Sequence, residues 1–304
     1  MPQRALEFPA AIALPAERCG KVAPPDILAA RAGMASLAAA RCWQGASVPM
    51  EGKLGGVRVL RFRPQGVVAG TVLHLHGGGF RQGCPEYVAP FAAALSARCK
   101  VEVICPAYRL APEHPYPAGL NDARAVLRAL AATKTGPLVL SGDSAGGGLA
   151  AGLALLAMGE DIPLAGLMLL SAWLDLTVSA PSYSVNAATD PLFSLESARL
   201  AAELYLQGLS SRDPLASPLF ASLTGFPPTF ISVGRGEVLA DDSSRFHAAL
   251  SAAAVPSEFC ILAGMNHIAV VRDSSAPGAA ETFAAIGAFI DRTVQARSIT
   301  TTGI

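Results

Sequence analysis

Short apolar runs alternate with longer segments whose apolar residues recur at three- and four-residue spacing. The short runs predict strands: "GTVLHL" from residue 70, "KVEVICP" from 100, "GPLVLSG" from 136, "PLAGLMLLSAWLDL" from 163, "PTFISVGRG" from 228 and "SEFCILAG" from 257. The spaced segments predict helices over residues 26–43, 89–98, 119–133, 145–159, 241–255 and 279–296. "GGVRVLRFRPQG", residues 55–66, is a polar–apolar alternation that ends at Pro64. Runs that are apolar throughout, regularly separated by helices, predict an α/β fold with a mostly parallel sheet covered on both faces.

The stretch from 180 to 221 breaks this rhythm. It is rich in Ser and Pro, holds the helical piece "SLESARLAAELYL" and lacks a strand pattern. It reads as an insertion lying over the strand ends, together with residues 1–45 as an N-terminal cap segment. The remainder, residues 46–304, reads as one catalytic α/β domain, with "SITTTGI" as a frayed tail.

Composition narrows the function classes. With 304 residues, 52% hydrophobic and 15% charged, the chain can bury a large core. Lys and Arg together number 23, as do Asp and Glu, so the net charge is zero. That balance argues against nucleic acid or an anionic membrane as a partner and leaves self-association easy. The six cysteines form no C-x-x-C pair, which gives no sign of a zinc or thioredoxin-like site. The apolar patch after Arg4 is interrupted by Pro9 and Pro15, too short for a secretory signal, and no stretch is long enough to span a membrane. A cytoplasmic protein is the expectation.

The candidate chemistry sits at "LVLSGDSAGGGLA". A strand runs into a helix through Gly142-Asp143-Ser144-Ala145-Gly146, the G-x-S-x-G spacing that projects a serine oxygen above a sheet. A serine nucleophile needs a base and a stabilised oxyanion. In "HLHGGGF", residues 74–80, successive glycines expose backbone N–H groups, and Gly77, Gly78 and Ala145 are the expected oxyanion donors. No Lys-Ser/Thr follows these glycines, so a phosphate loop is not indicated. His74 and His76 alternate on one strand face, but a third ligand is missing nearby, so no metal and no cofactor are expected.

Among His114, His247 and His267, the last follows the final strand in a loop that can turn back over the sheet, which makes it the expected general base. His247 falls within a helical pattern, as a surface residue. The orienting acid is Glu237, directly after a strand, with Asp241 as the alternative. Phe80, Trp173, Tyr183, Leu192 and Phe193 are the expected pocket walls.

Taken together, "HGGGF", "YRLAPEHPYPA" (108–118), "GDSAGGGLA" (142–150), "SAWLDL" (171–176) and "DPLASPL" (213–219) resemble the hormone-sensitive-lipase family of α/β-hydrolase esterases, over roughly residues 50–290. The resemblance implies cofactor-free hydrolysis of short- to medium-chain carboxylic esters, small-molecule substrates. Ser144 would be nucleophile, His267 base and Glu237 acid, under a helical cap, and the chain would pair as a homodimer. The family usually carries Asp-Pro-Leu where this chain has Glu237-Val238-Leu239, which leaves Asp241 open as the acid. Lactone opening or amide hydrolysis would use the same residues, and a non-catalytic binding protein or a metallohydrolase are the alternatives from other classes.

Overall fold

The computed structural model describes residues 12–40, 49–133 and 136–301. Eight strands form one sheet in the order β1-β2-β4-β3-β5-β6-β7-β8. These are β1 (Met50–Leu54), β2 (Val57–Phe62), β3 (Gly70–Leu75), β4 (Val101–Pro106), β5 (Leu138–Asp143), β6 (Gly166–Leu170), β7 (Thr229–Gly234) and β8 (Ser257–Leu262). From β3 onward neighbours pair parallel, while β2 runs antiparallel to both β1 and β4.

The strands are apolar throughout because both faces are covered. Leu73, Ile104, Leu140 and Leu169 point into a core shared with α3 (Ala118–Thr133), α4 (Ala145–Gly159) and α7 (Ala240–Ala252). Their neighbours Val72, Val103, Val139 and Met168 pack against α2 (Ala89–Cys99) and α9 (Ala279–Thr301) on the other side. This is the alternation of a pleated strand, with one residue up and the next down.

Three elements depart from the sequence reading. The first is β1, whose polar residues are mostly exposed and which is held by backbone pairing with β2 across Gly55 and Gly56, both at positive φ. The second is β6, which ends at Leu170 rather than running to residue 176. Ser171 turns to φ 48°, and a few residues on the N–H groups of Leu174 and Asp175 both donate to the Asp242 carboxylate. The third is the C-terminal tail, where α9 continues to Thr301, beyond the expected helix end.

The segment from 180 to 221 holds the short α5 (Ser182–Val185), α6 (Leu195–Leu206) and a single 3₁₀ turn at Pro218–Phe220. Ser194 caps α6 by accepting the Ser197 N–H. Upstream, α1 (Pro25–Ala40) is the predicted first helix. Its Arg31 grips the body through a bidentate pair with Glu113 and bonds to the carbonyls of Arg81 and Ala111. Residues 1–11, which hold most of the N-terminal apolar patch, and residues 41–45 of the expected cap segment lie outside the described residues. Among the described residues, no helix is long and apolar enough to cross a membrane.

Candidate active site

The turn between β5 and α4 explains its own glycines. Ser144 holds φ 52° and ψ −123°, a conformation that costs about 1–3 kcal/mol for a residue with a side chain. A Cβ on Gly142 would lie 2.1 Å from the Gly146 carbonyl oxygen, and one on Gly146 would lie 2.0 Å from that of Leu75. Only glycine lets the incoming strand, the outgoing helix and β3 approach this closely. The Ser144 N–H bonds to the Leu170 carbonyl, and the Trp173 N–H bonds back to Ser144, so the end of β6 clamps the strained turn.

Two loops carry the other groups to this serine. His267 Nε2 lies 2.9 Å from Ser144 Oγ, and its Nδ1 lies 2.7 Å from Glu237 Oε2. All three are buried, with exposures of 6% for Ser144, 7% for His267 and 1% for Glu237. Glu237 is fixed in turn: its Oε1 accepts from the Ser171 hydroxyl at 2.9 Å and from the Gly234 N–H at 2.5 Å. Ser171 also accepts the Ile268 N–H, tying the histidine loop to the same point. Burial alone would lower the His267 imidazole, but the hydrogen bond and charge of Glu237, aided by Asp190 and Asp143, more than offset it and raise the pKa above the ordinary value.

The neighbouring carboxylates are engaged elsewhere. Asp241 accepts the Ser182 N–H at 2.8 Å, and Asp242 holds the turn after β6. Of the remaining histidines, His114 is exposed, whereas His247 is half-buried, bonded to Ser257 and stacked on Phe259. His74 lies buried between Ser141 and Asp143. Burial pushes the His76 imidazole down to about 4, and its Nδ1 lies 2.8 Å from the Gly77 carbonyl.

The glycine loop requires a correction. The N–H of Gly77 donates to Asp143 Oδ2 at 3.0 Å, so it is occupied and does not face the serine. The N–H groups of Gly78 and Gly79, both at positive φ, enter no hydrogen bond among the described residues, and both glycines line the cleft at Ser144. Ala145 opens α4, where a first-turn N–H has no acceptor within the helix. The sequence reading missed Gly79. The signal was the aspartate between glycine and serine, whose buried carboxylate needs donors and takes the first N–H of the glycine run.

A cleft of about 230 Å³ opens over Ser144 and His267. Met34 and Leu37 of α1 line it, with Leu192 and Phe193 from the segment after α5. Phe193 lies parallel to the His267 ring at 6.0 Å. Phe80, Trp173 and Tyr183 do not line it. They are buried behind it, with Phe80 stacked on Tyr205 at 3.9 Å and tilted against Trp173. Phe80 and Trp173 pack against Gly148 of α4, and Phe80 also stacks on Tyr205 of α6, a packing role that one-dimensional proximity to the motifs could not separate from a wall.

Comparison with known proteins agrees with this architecture. The profile of a family described as having the alpha/beta hydrolase fold matches residues 72–271. An esterase of Acinetobacter venetianus is 36% identical over 217 residues, 70% of this chain and 72% of that protein. An acetyl-hydrolase of Streptomyces hygroscopicus is 38% identical over 202 residues, 65% of this chain and 67% of that protein. The crystal structure of the hormone-sensitive-lipase homologue EstE7, from a metagenome library, superposes with a TM-score of 0.84 at 33% identity, covering 87% of this chain and 92% of that one. With its elbow, its sheet order and these relatives in agreement, the chain belongs to the α/β-hydrolase fold family, among the hormone-sensitive-lipase-like esterases.

Proposed function

We propose that this protein is a serine carboxylesterase that hydrolyses short- to medium-chain esters through an acyl-enzyme. The observation that carries the reading is the continuous chain Ser144–His267–Glu237, at 2.9 and 2.7 Å. In this reading His267 takes the Ser144 proton as the oxygen attacks the ester carbonyl. Glu237 holds the imidazole by Nδ1 and stabilises its charge. The oxyanion is met by the N–H groups of Gly78, Gly79 and Ala145. The alcohol leaves with the proton that His267 returns, and water then attacks the acyl-enzyme by the same route.

The cap of this reading is α1 together with residues 180–221, since both supply cleft residues. The confined volume favours short acyl chains. The open sheet edge at β8 supports the homodimer that the resemblance implies, because an edge strand offers unpaired backbone groups to a second copy. Analytical ultracentrifugation separates a 31.1 kDa monomer from that dimer.

Hydrolysis of p-nitrophenyl esters from acetate to dodecanoate, with Ser144→Ala alongside, tests the activity. Turnover should peak at short chains and fall by at least about a thousandfold in the variant. Retained turnover in a folded Ser144→Ala protein would overturn the assignment.

A further inference from the structure

The cleft is lined by two guanidinium groups, Arg81 and Arg272, and by a single carboxylate, Asp143. Asp143 is not available to them or to a ligand, because its two oxygens are taken by His74 and the Gly77 N–H. Arg81 follows directly on the glycine loop, and a Cβ on Gly79 would lie 3.7 Å from its Nε. The guanidinium is therefore packed beside the proposed oxyanion donors. Its Nη2 donates to Ser197 Oγ at 2.8 Å, which leaves the Ser197 hydroxyl proton free to donate to something else. Its Nη1 is buried without a hydrogen-bond partner. Among the described residues no carboxylate bonds to Arg81, and the only counter-charge acting on it is that of Asp26, at a distance.

A half-buried arginine with an unused donor and no ion-pair partner is an unusual wall for a pocket meant to hold only neutral chains. Several arginines elsewhere on the protein are matched by carboxylates: Arg31 by Glu113, Arg61 by Glu102, and Arg109 by Glu17 and Asp122. Gln82 adds a further amide to the same lining. The cleft thus offers a concentration of donors a short distance from the reacting serine, and both oxygens of its one lining carboxylate are already taken by hydrogen bonds.

We propose that the preferred substrates are small esters bearing a free carboxylate a few carbons from the scissile bond, with Arg81 and Ser197 binding that carboxylate. This deepens the serine-esterase reading and rests on it. Hydrolysis is unchanged in its chemistry: water adds, and the products are the alcohol and the acid. Arg81 touches only the remote anion and acts on specificity.

The test pairs each anionic ester with a neutral one of the same shape, for instance monoethyl succinate against ethyl 4-methylpentanoate, and 3-acetoxypropanoate against isopentyl acetate. The first pair places the carboxylate on the acyl side, the second on the alcohol side. In the wild-type protein at least one anionic member should show kcat/KM higher by roughly tenfold to a hundredfold, the range of one charge-assisted hydrogen bond. Arg81→Gln should abolish that ratio and Arg81→Lys should keep part of it. The ratio is taken within one protein sample, so a loss of folded material or a disturbed glycine loop moves both members together.

Equal or lower rates on both anionic esters overturn the inference, while Ser144-dependent turnover of the neutral esters leaves the esterase reading standing. A preference that survives in Arg81→Gln overturns the assignment to Arg81. Calorimetric titration of Ser144→Ala with monoethyl succinate and with 3-acetoxypropanoate reads binding without turnover. Binding of at least one that is lost in the Ser144→Ala, Arg81→Gln double variant supports the site even if every ester resists hydrolysis. Absence of binding by both counts against it.

Discussion

Glu237 Oε2 meets His267 Nδ1 at 2.7 Å although the two residues come from the ends of different strands, β7 and β8. The glutamate starts three residues beyond β7 and reaches back, bonding with its other oxygen to the Gly234 N–H at the strand end. The extra methylene of glutamate over aspartate is taken up by this backward reach. A Cβ on Gly234 would lie 2.0 Å from the Met265 carbonyl, so the β7 end must be glycine for the two loops to come together.

Replacement of Glu237 by Gln should therefore lower kcat by about a hundredfold to ten-thousandfold, since the imidazole loses both its tautomer and its counter-charge. Asp241→Asn should stay within a few-fold of wild type, because Asp241 serves the Ser182 N–H. Steady-state kinetics on p-nitrophenyl butyrate rank the two; the reverse order would reassign the acid.

The pH profile follows from His267. A base must be neutral to accept a proton, and this imidazole is raised above its ordinary 6.5. The acid limb of kcat/KM should consequently lie above 6.5, and in the residual activity of Glu237→Gln it should move down, where burial acts unopposed. The same shift has a stability consequence. A histidine raised in the folded state contributes stability that is fully present below the unfolded value and is lost as pH rises through the folded value. Thermal melts of wild type and His267→Ala should differ in slope over that window.

The two kinds of glycine should respond oppositely to alanine. Gly146→Ala drives a Cβ to 2.0 Å from the Leu75 carbonyl and should destabilise by about 3 kcal/mol, with loss of turnover. Gly33 lies within α1 with nothing inside 4 Å of an added Cβ, so Gly33→Ala should stabilise by about 0.5–1 kcal/mol. Urea melts measure both.

Asp242 supplies a further pH effect. Complete burial raises its pKa to about 7; the N–H groups of Leu174 and Asp175 oppose this and the charge of Asp175 adds to it. One oxygen accepts those two N–H groups and the other has no partner. An acid raised in the folded state binds more protons there than in the unfolded chain, so stability falls as pH rises from about 4 to about 7. Asp242→Asn keeps an acceptor for both N–H groups and carries no charge. It should flatten this slope and raise Tm at pH 8, read by calorimetry at pH 5 and 8.

Sequence alone carried most of the order of the elements, the glycine–serine turn, and the proposal of His267 as the residue that turns back over the sheet. Each rests on local chemistry: periodicity of apolar residues, glycines around a strained serine, a histidine in the loop after the last strand. Tertiary structure decided what depends on contacts between distant segments. It brought Glu237 rather than Asp241 against His267, because Glu237 reaches His267 Nδ1 while Asp241 is held by the Ser182 N–H. It engaged the Gly77 N–H with Asp143, which leaves the N–H groups of Gly78 and Gly79 as the glycine-loop donors at the cleft. It placed Phe80, Trp173 and Tyr183 in the core and Phe193 in the cleft, although all four are aromatic and near motifs. It made a strand of Met50–Leu54, whose side chains give no β signal, because backbone pairing with β2 needs none. Periodicity reports which face of an element is buried; which partner buries it is a property of the assembled chain.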